Sequence, residues 1–230
     1  MNIIRKGQLN TCNIREKIIS DTSVPYITFD NLEQTGIIRQ GFSTRLGGVS
    51  EGEFASMNLS FSRNDDPQAV MENYRRFTAI MDCTPDDVVA SHQTHTTNVR
   101  RVSSADKGKG VTRDKDYSDI DGLITDESGV LLACFFADCV PLYFVDPVHH
   151  AIGLAHSGWR GTVGRMGQKM IDSMSHTFGT RPEEVQAAIG PSICQSCYEV
   201  SEEVAVAFAK QFTPDRKLAV EYLQRYQQEI

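Results

Sequence analysis

The chain has no long basic segment and no apolar run that could cross a bilayer. Its 230 residues include 23 Lys or Arg and 30 Asp or Glu, so the formal net charge is −7. An acidic balance without a block of Lys and Arg argues against nucleic acid as the main partner. The longest apolar stretch, residues 130–145, is interrupted by Asp138 and Pro141 and is too short for a membrane-spanning helix. We therefore expect neither nucleic-acid binding nor a membrane span.

The N-terminal residues lack the apolar core of a secretory signal. Residues 1–20 instead carry five charged side chains at scattered positions. This pattern predicts a cytoplasmic protein, whose thiols are kept reduced. The even number of cysteines is therefore not interpreted as three disulfides. We expect core fillers, metal ligands or nucleophiles among Cys12, Cys83, Cys134, Cys139, Cys194 and Cys197.

Apolar runs of strand length alternate with segments of helical periodicity. A helix is predicted over residues 66–80, with Asp66 before it and Pro67 in its first turn. A second helix is predicted after Gly161, ending at Gly179. The runs at residues 130–136 and 185–189 predict buried strands. Further strands are predicted at residues 3–4, 18–19, 26–29, 37–38, 88–90, 140–145 and 151–155.

This alternation is typical of the α/β and α+β classes, and the order of the elements does not separate a parallel from a mixed sheet. We predict an α/β fold, a mixed sheet with flanking helices. No repeat or long linker is visible, so one domain is expected over residues 1–230. A monomer is expected because no heptad or apolar surface stripe is present.

Several signatures of common enzyme classes are missing. Neither GxGxxG nor GxxxxGK[ST] is present, so neither a dinucleotide fold nor a P-loop is supported. The HExxH zinc motif is also absent. A zinc deaminase of the cytidine type needs His-x-Glu, and none of the six histidines has Glu two residues later. Any catalytic group must therefore be assembled from residues that are distant in sequence.

Three potential metal ligands stand where predicted strands begin or end. His95 follows the strand at residues 88–90, Cys139 lies between two buried runs, and His156 follows the next run. Two imidazoles and a thiolate suit Zn²⁺ and leave a fourth position for water or substrate. Spacing alone does not choose between His92 and His95. The alternative is that Cys139 is a small core residue and that the histidines are hydrogen-bonded.

Two arginines and two aspartates are further candidates. Arg45 and Arg160 lie in glycine-bearing loops, where a guanidinium can bind a phosphate or carboxylate through two hydrogen bonds. A surface ion pair is the alternative for each. Asp138 and Asp121 flank apolar runs, where burial would perturb a pKa and suit a general base. Asp121 also fits a simple turn residue before Gly122.

Cys194 and Cys197 form a Cys-x-x-Cys pair. Such a pair is either redox-active or half of a zinc site. No second pair exists, and thioredoxin-type motifs open a helix after a strand, which is a different context. The sequence therefore favours a structural role, or a role beside a neighbouring site.

Eight segments occur in the order typical of one protein family. They are HSGWRG at residues 156–161, ADCVPL at residues 137–142, and the segments at residues 44–50, 57–59, 93–95, 121–125, 190–193 and 197–200. Over residues 40–205 the chain resembles the YfiH/LACC1-type family. Its members are also called polyphenol oxidases, multicopper-laccase-like proteins or purine nucleoside phosphorylases.

The resemblance implies a single domain with the cysteine-hydrolase-like toxin fold. It also implies a mononuclear zinc bound by His95, Cys139 and His156, and so selects His95 over His92. The implied reactions are phosphorolysis of adenosine, inosine, guanosine and methylthioadenosine, and hydrolytic deamination of adenosine. Purine nucleosides and phosphate are therefore the expected partners. Copper is an alternative metal for the same residues.

The other expected site residues fall into two groups. Asp138 is the expected catalytic residue, as a proton shuttle when zinc-activated water attacks C6 of adenine. Arg45 or Arg160 is expected to place phosphate against C1′ of the ribose. The predicted substrate-binding residues are Arg45, Asn58, Asp121 and Arg160.

Other functions remain open at this level. Cys139 is an alternative nucleophile for a cysteine hydrolase, activated by His156. The family also includes reported copper-dependent phenol oxidases and proteins linked to peptidoglycan editing, so a copper enzyme and a non-catalytic editing factor are further alternatives. Thr96 stands where the family usually has Gly. The chain stops at residues 227–230, before the family's aromatic and arginine-containing segment, so we expect that part of the pocket to be missing or replaced.

Overall fold

The structure, a computed structural model, describes residues 12–212. In this range the strands are β1 (Cys12–Ile19), β2 (Thr22–Phe29), β3 (Phe42–Ser43), β4 (Val88–Ala90), β5 (Val99–Arg101), β6 (Gly122–Thr125), β7 (Leu131–Ala133), β8 (Val140–Asp146), β9 (Ala151–Ser157) and β10 (Gln186–Ile189). The α-helices are α1 (Asp30–Glu33), α2 (Pro67–Ile80), α3 (Trp159–Val163), α4 (Met166–Phe178) and α5 (Glu202–Phe212). Short 3₁₀ helices cover Gly52–Phe54, Pro85–Asp87, Ser104–Asp106, Pro182–Glu184 and Gln195–Cys197. The strand predicted at residues 3–4 and the chain end at residues 227–230 lie outside the described residues.

The strands form three sheets. β1, β2 and β3 form an antiparallel sheet in that order, and β4 pairs in parallel with β7. The largest sheet has the order β10–β8–β9–β6–β5, with three antiparallel pairs followed by the parallel pair of β6 and β5. The prediction of an α/β fold, with a mixed sheet and flanking helices, is confirmed.

The two faces of the five-stranded sheet are covered by different elements. Helix α4 packs on one face, where Met166, Met170 and Met174 are fully buried against β6, β8 and β9. On the opposite face, Phe29 of β2 and Leu32 of α1 pack against other residues of β8 and β9. Successive side chains of a strand point to opposite faces, so β8 and β9 contribute to both layers of the core.

Two glycines of the sheet let α4 approach closely. A Cβ atom at Gly122 would lie 2.6 Å from Met170 Sδ and 2.7 Å from Met166 Cε. A Cβ atom at Gly153 would lie 2.7 Å from Met170 Cε. The flexible methionine side chains therefore fill the space above residues that have no side chain. Helix α4 ends where Gly179 adopts a φ of +80°, a left-handed conformation that favours glycine.

Local signals predicted the helices well. Asp66 precedes α2, and its carboxylate accepts the N–H of Gln68 at 2.9 Å, as expected for a capped helix that begins with proline. The helix predicted after Gly161 is two helices: α3 begins earlier, at Trp159, and contains Gly161, whereas α4 ends just before Gly179, as predicted. None of the helices in residues 12–212 combines the length and the apolar character that a membrane crossing requires.

Two strand predictions were wrong in extent or existence, and a third was wrong only in the burial of the strand. The run at residues 130–136 contains only the half-buried β7, because the side chain of Gln93 forms hydrogen bonds with both backbone groups of Phe135. Residues 37–38 lie outside any strand. The strand predicted at residues 185–189 is present as β10, but it is largely exposed because it lies at the sheet edge.

The packing of α4 predicts a measurable effect on stability. Replacing Met170 by Ala removes a fully buried side chain, so we expect the free energy of unfolding to fall by about 2–5 kcal/mol. The neighbouring exposed Lys169→Ala is the matched control, with an expected change within about 0.5 kcal/mol. Urea denaturation followed by circular dichroism measures both values. Equal losses in the two variants would contradict this account of the core.

Candidate functional site

One end of the five-stranded sheet gathers several polar side chains. Cys139 directly precedes β8, and His156 is the penultimate residue of β9. Because β8 and β9 are antiparallel, the start of β8 lies beside the end of β9, and Pro141 pairs with His156. Asp121 directly precedes β6, which pairs with β9 on its other side. The sheet register therefore brings together three residues that are far apart in sequence.

His95 reaches the same point from the loop after β4. One donor atom from each of His95, Cys139 and His156 lies within 4.8 Å of the other two. Cys139 Sγ is 4.0 Å from His95 Nε2, and the two imidazole rings meet edge to face with centroids 5.0 Å apart. His156 is buried, Cys139 is half-buried and His95 is exposed. The group is therefore open to solvent on the side of His95.

Asp121 connects the His95 loop to His156. Its carboxylate accepts the backbone N–H groups of Thr94, His95 and Thr96 at 3.1, 3.1 and 2.9 Å. It also accepts hydrogen bonds from Thr96 Oγ1 at 3.0 Å and from His156 Nδ1 at 2.8 Å. His95 has a φ of +66°, and these bonds stabilise a left-handed turn that few residues other than glycine adopt. Asp121 has no exposed surface, so its carboxylate faces the protein.

The bond from His156 to Asp121 determines which imidazole nitrogen remains available. With the proton on Nδ1, the Nε2 lone pair is left as the donor atom. Burial lowers the pKa of His156, although the hydrogen bond to Asp121 opposes this shift. Burial alone would raise the pKa of Asp121, but hydrogen bonds from Thr96, His156 and Thr94 lower it overall. A neutral imidazole held by a charged carboxylate is the form that binds a metal.

The surroundings of Cys139 keep its thiol protonated in the absence of a cation. Burial raises the pKa of Cys139, and the charges of Asp138 and Asp121 raise it further. A cation bound at this thiol would reverse the balance and favour the thiolate. The two carboxylates, Asp138 and Asp121, therefore place negative charge near the Cys139 thiol, and a bound cation would offset this charge.

Gly158 provides the space in which the potential ligands meet. A Cβ atom at this position would lie 2.8 Å from His95 Cδ2 and 3.1 Å from Cys139 Sγ. The contact of Gly158 with the ligand group, as we call the potential ligands His95, Cys139 and His156, was not predicted from the sequence. Its position two residues after His156 is the sequence signal that was available.

The donor set fits zinc. A thiolate and two imidazoles are preferred Zn²⁺ ligands, and ligands of a tetrahedral site lie roughly 3.5 Å apart. Cys139 Sγ and His95 Nε2, 4.0 Å apart, lie about 0.5 Å beyond that spacing, and the His156 donor atom lies within 4.8 Å of both. The carboxylate on His156 Nδ1 is a usual partner of metal-bound histidine. The same donors also bind copper. The three residues thus fit one cation, with a further coordination position toward solvent.

A second group of potential ligands in the described part of the chain has a different environment. Asp146, His149 and Glu184 have donor atoms within 4.8 Å of one another. Asp146 accepts the N–H groups of Val148 and His149 at 2.9 and 3.1 Å, and Glu184 forms an ion pair with Arg181. These bonds already engage the carboxylates, so this group stabilises the turn after β8.

His92 does not join the ligand group. Its Nδ1 accepts the N–H of Asp119 at 3.3 Å, and its backbone pairs with Ile120 in an isolated bridge. Only one of the two histidines of this loop therefore contributes to the convergent group. The choice between His92 and His95, which spacing left open, follows from the turn that Asp121 stabilises.

Asp138 and Arg160 lie beside the ligand group in sequence, and both are exposed. Asp138 directly precedes Cys139, and its backbone carbonyl accepts the N–H of Ile193 at 3.0 Å. The guanidinium of Arg160 lies over the ring of Trp159, 4.2 Å from its centroid. Both charged groups therefore face solvent.

Arg45 and Asn58 belong to the loops that precede α2. The guanidinium of Arg45 donates hydrogen bonds to the carbonyl oxygens of Ala55 and Glu53, at 2.5 and 2.7 Å. The amide of Asn58 donates to Asp65 Oδ2 at 2.8 Å. Both side chains therefore already have partners within their own loop segment.

An apolar cavity of about 350 Å³ lies between α2, β3 and the strands β7–β9. Phe42, Phe136 and Asn58 are among its lining residues. The ring of Phe136 also packs against His156, with centroids 5.7 Å apart. Phe136 is therefore shared by the cavity and the ligand group. In the sequence Phe136 is only one residue of an apolar run, because an apolar residue carries no signal of its neighbours in the fold.

Comparison with known proteins identifies relatives of this chain. A family described as multi-copper polyphenol oxidoreductase laccase matches residues 39–228. A purine nucleoside phosphorylase of Deinococcus radiodurans is 42% identical over 171 residues, which are 74% of this chain and 63% of that protein. A protein named adenosine deaminase RL5, from an unknown prokaryotic organism, is 32% identical over 173 residues, which are 74% of this chain and 66% of that protein. The chain thus spans less than two thirds of the length of these relatives.

A solved structure is similar over most of the described fold. The crystal structure of the hypothetical protein YfiH from Bacillus licheniformis superposes with a TM-score of 0.76 at 32% identity. The similarity covers 88% of this chain and 73% of that protein. Sequence and structure therefore agree that the chain belongs to the YfiH family, described as multi-copper polyphenol oxidoreductase laccase.

Proposed function

We propose that the chain is a zinc-dependent purine nucleoside phosphorylase that also deaminates adenosine. The observation that carries this proposal is the convergence of His95, Cys139 and His156 beside the Asp121 carboxylate. Relatives named for these two activities support it at the level of the family. The proposed substrates are adenosine, inosine, guanosine and methylthioadenosine, together with phosphate.

His95, Cys139 and His156 would hold the cation. When bound, zinc would supply Lewis acidity and increase the acidity of water. Asp121 would keep His156 and the His95 turn in place. Because its carboxylate is buried and fully engaged, we assign it a positioning role instead of the substrate contact expected from sequence.

Two exposed charged groups would act on the substrate. Asp138, next to Cys139, would carry a proton between the purine and solvent. Arg160 would bind phosphate, because its guanidinium is exposed above Trp159 and can offer two parallel N–H donors to an oxyanion. Arg45 suits this role less, since two backbone carbonyls already occupy its donors.

The apolar cavity would take the purine base. Its volume of about 350 Å³ lies within the range of small-molecule sites. Phe42 and Phe136 offer aromatic surface for stacking on a base. Asn58 also lines the cavity, and its amide would bind the base edge in exchange for its present hydrogen bonds to Asp65 and Ser60, which is the substrate-binding role expected from the sequence.

The two imidazoles near Cys139 support a shared cation over a single Cys139–His156 dyad, and His156 does not lower the pKa of the Cys139 thiol, which burial raises. A nucleophilic cysteine works as a thiolate, so its pKa is normally depressed. Copper held by the same residues would instead support phenol oxidation. The identity of the bound metal therefore separates these functions.

For the whole chain we propose one domain over residues 1–230, similar in fold to the cysteine-hydrolase-like toxins. The proposal is supported by a common core, since Phe29 and Leu32 from the N-terminal part pack against Tyr143, Val145 and Leu154 of the large sheet. Such shared packing is typical of a single folding unit.

Adenosine is a substrate of both proposed reactions, and its products differ between phosphorolysis and deamination. With phosphate, the zinc-loaded chain is expected to release adenine and ribose 1-phosphate, and without phosphate it is expected to form inosine. Liquid chromatography identifies these products, and elemental analysis is expected to find about one zinc ion per chain. Formation of neither product would favour a non-catalytic editing or binding protein. If the chain instead binds copper and oxidises phenols, the alternative of a copper-dependent phenol oxidase would be favoured.

Replacing His95 by Ala tests the ligand assignment. We expect zinc affinity to fall by more than about 100-fold and both reactions to be lost, because one of three protein ligands is removed. His92→Ala is the matched control from the same loop and is expected to retain both zinc and activity. Metal titration with a competing chelator measures the affinity. Full zinc binding by the His95 variant, or its loss in the His92 variant, would refute the assignment.

Replacing Asp121 by Asn tests the positioning role. Loss of the charged partner of His156 is expected to weaken zinc binding by about 10- to 100-fold, while added zinc restores part of the activity. Asp119→Asn is the control. Asp119 accepts a hydrogen bond from Thr94 Oγ1, in the loop that carries His95, but it does not bond to His156. Unchanged zinc affinity with a large rise in the KM for nucleoside would instead indicate direct substrate contact by Asp121.

A further inference from the structure

Cys194 and Cys197 form a close pair in the turn between β10 and α5. The 3₁₀ helix Gln195–Cys197 closes this turn, and Cys197 donates its N–H to the carbonyl of Cys194 at 3.0 Å. The two sulfur atoms lie 3.1 Å apart, and both residues are exposed. A disulfide has a sulfur separation of about 2.05 Å, so a shift of roughly 1 Å would join them. The backbone therefore already holds the two side chains in near-bonding geometry.

The two sulfurs are chemically different. The Cys194 sulfur lies 3.2 Å from Ser196 Oγ. Hydrogen bonds from Ser196 and Cys197 lower the pKa of the Cys194 thiol to about 7. A thiol whose pKa is near the ambient pH attacks disulfides most effectively, because it is both substantially ionised and still nucleophilic. Cys194 therefore has the character of the attacking thiol, with Cys197 as its neighbour.

Metal binding does not explain the pair. A Cys-x-x-Cys supplies two ligands, and a structural zinc site needs four. Within residues 12–212 the clusters of three potential ligands are those of Cys139 and of Asp146, and neither includes Cys194 or Cys197. The exposed position also suits reaction with a dissolved partner more than a closed metal site.

We propose that Cys194 and Cys197 form a thiol–disulfide exchange site whose substrates are low-molecular-weight disulfides such as oxidised glutathione. The Cys194 thiolate attacks one sulfur of the substrate, forms a mixed disulfide and releases the other half as a thiolate. Cys197 then gives up its proton and attacks the Cys194 sulfur, which closes the intrachain disulfide and releases the second half. The released thiolate takes up that proton. The protein dithiol is oxidised by two electrons and the small disulfide is reduced to two thiols.

The pair shares no residue with the proposed nucleoside site, so each can be tested without the other. The full chain, incubated at pH 7 with mixtures of reduced and oxidised glutathione, is quenched with acid, alkylated and digested. Mass spectrometry is expected to find a Cys194–Cys197 disulfide that disappears as reduced glutathione is added. A linked peptide that is absent even in excess oxidised glutathione would overturn the proposal.

Single substitutions identify the attacking thiol. Cys197→Ser is expected to accumulate glutathione on Cys194, and Cys194→Ser is expected to react about tenfold more slowly at Cys197. Cys83→Ser is the control and is expected to form the disulfide like the parent chain, since burial raises the pKa of Cys83. Circular dichroism verifies that each variant is folded. Equal rates of glutathione addition in the Cys194→Ser and Cys197→Ser variants would refute the assigned roles. So would faster addition of glutathione to Cys83 than to Cys194 in the parent chain.

Discussion

The buried carboxylate of Asp121 is the interaction on which the arrangement of the site depends. It accepts hydrogen bonds from a three-residue loop segment and from the imidazole of His156. A buried charge is unfavourable unless its oxygen atoms are bonded, so the loop must present its N–H groups to this point. That requirement places His95 in a left-handed turn and directs it toward His156. One carboxylate therefore determines the positions of two potential ligands.

The five-stranded sheet provides the rigid frame for this interaction. Asp121, Cys139 and His156 stand at the ends of neighbouring strands, and the strands are packed on both faces. The charged groups of Asp138 and Arg160 are exposed, while Phe136 lines the apolar cavity and also packs against His156. The site thus has an apolar side and a charged side. The nucleoside that we propose as substrate has an aromatic base and a polar ribose, which would match this division.

Much of the fold could be predicted from local signals. The cap at Asp66 and the glycine at residue 179 predicted where α2 begins and α4 ends, because these effects act within one helical turn. Burial was harder to predict. The run at residues 130–136 has the composition of a buried strand, but Gln93 takes the hydrogen bonds of Phe135. The exposure of β10 depends on its place at the sheet edge, which no local pattern encodes.

The sequence by itself determined the residue types of the site and their order along the chain. Two imidazoles and a thiolate near strand ends indicate a soft-metal site, since ligand preference is a property of the side chains. Tertiary structure alone decided that Asp121 is buried behind His156 and that Gly158 makes room for the ligands. It also placed Phe136 against His156. These relations depend on strand register and close packing, which bring together atoms that are remote in sequence.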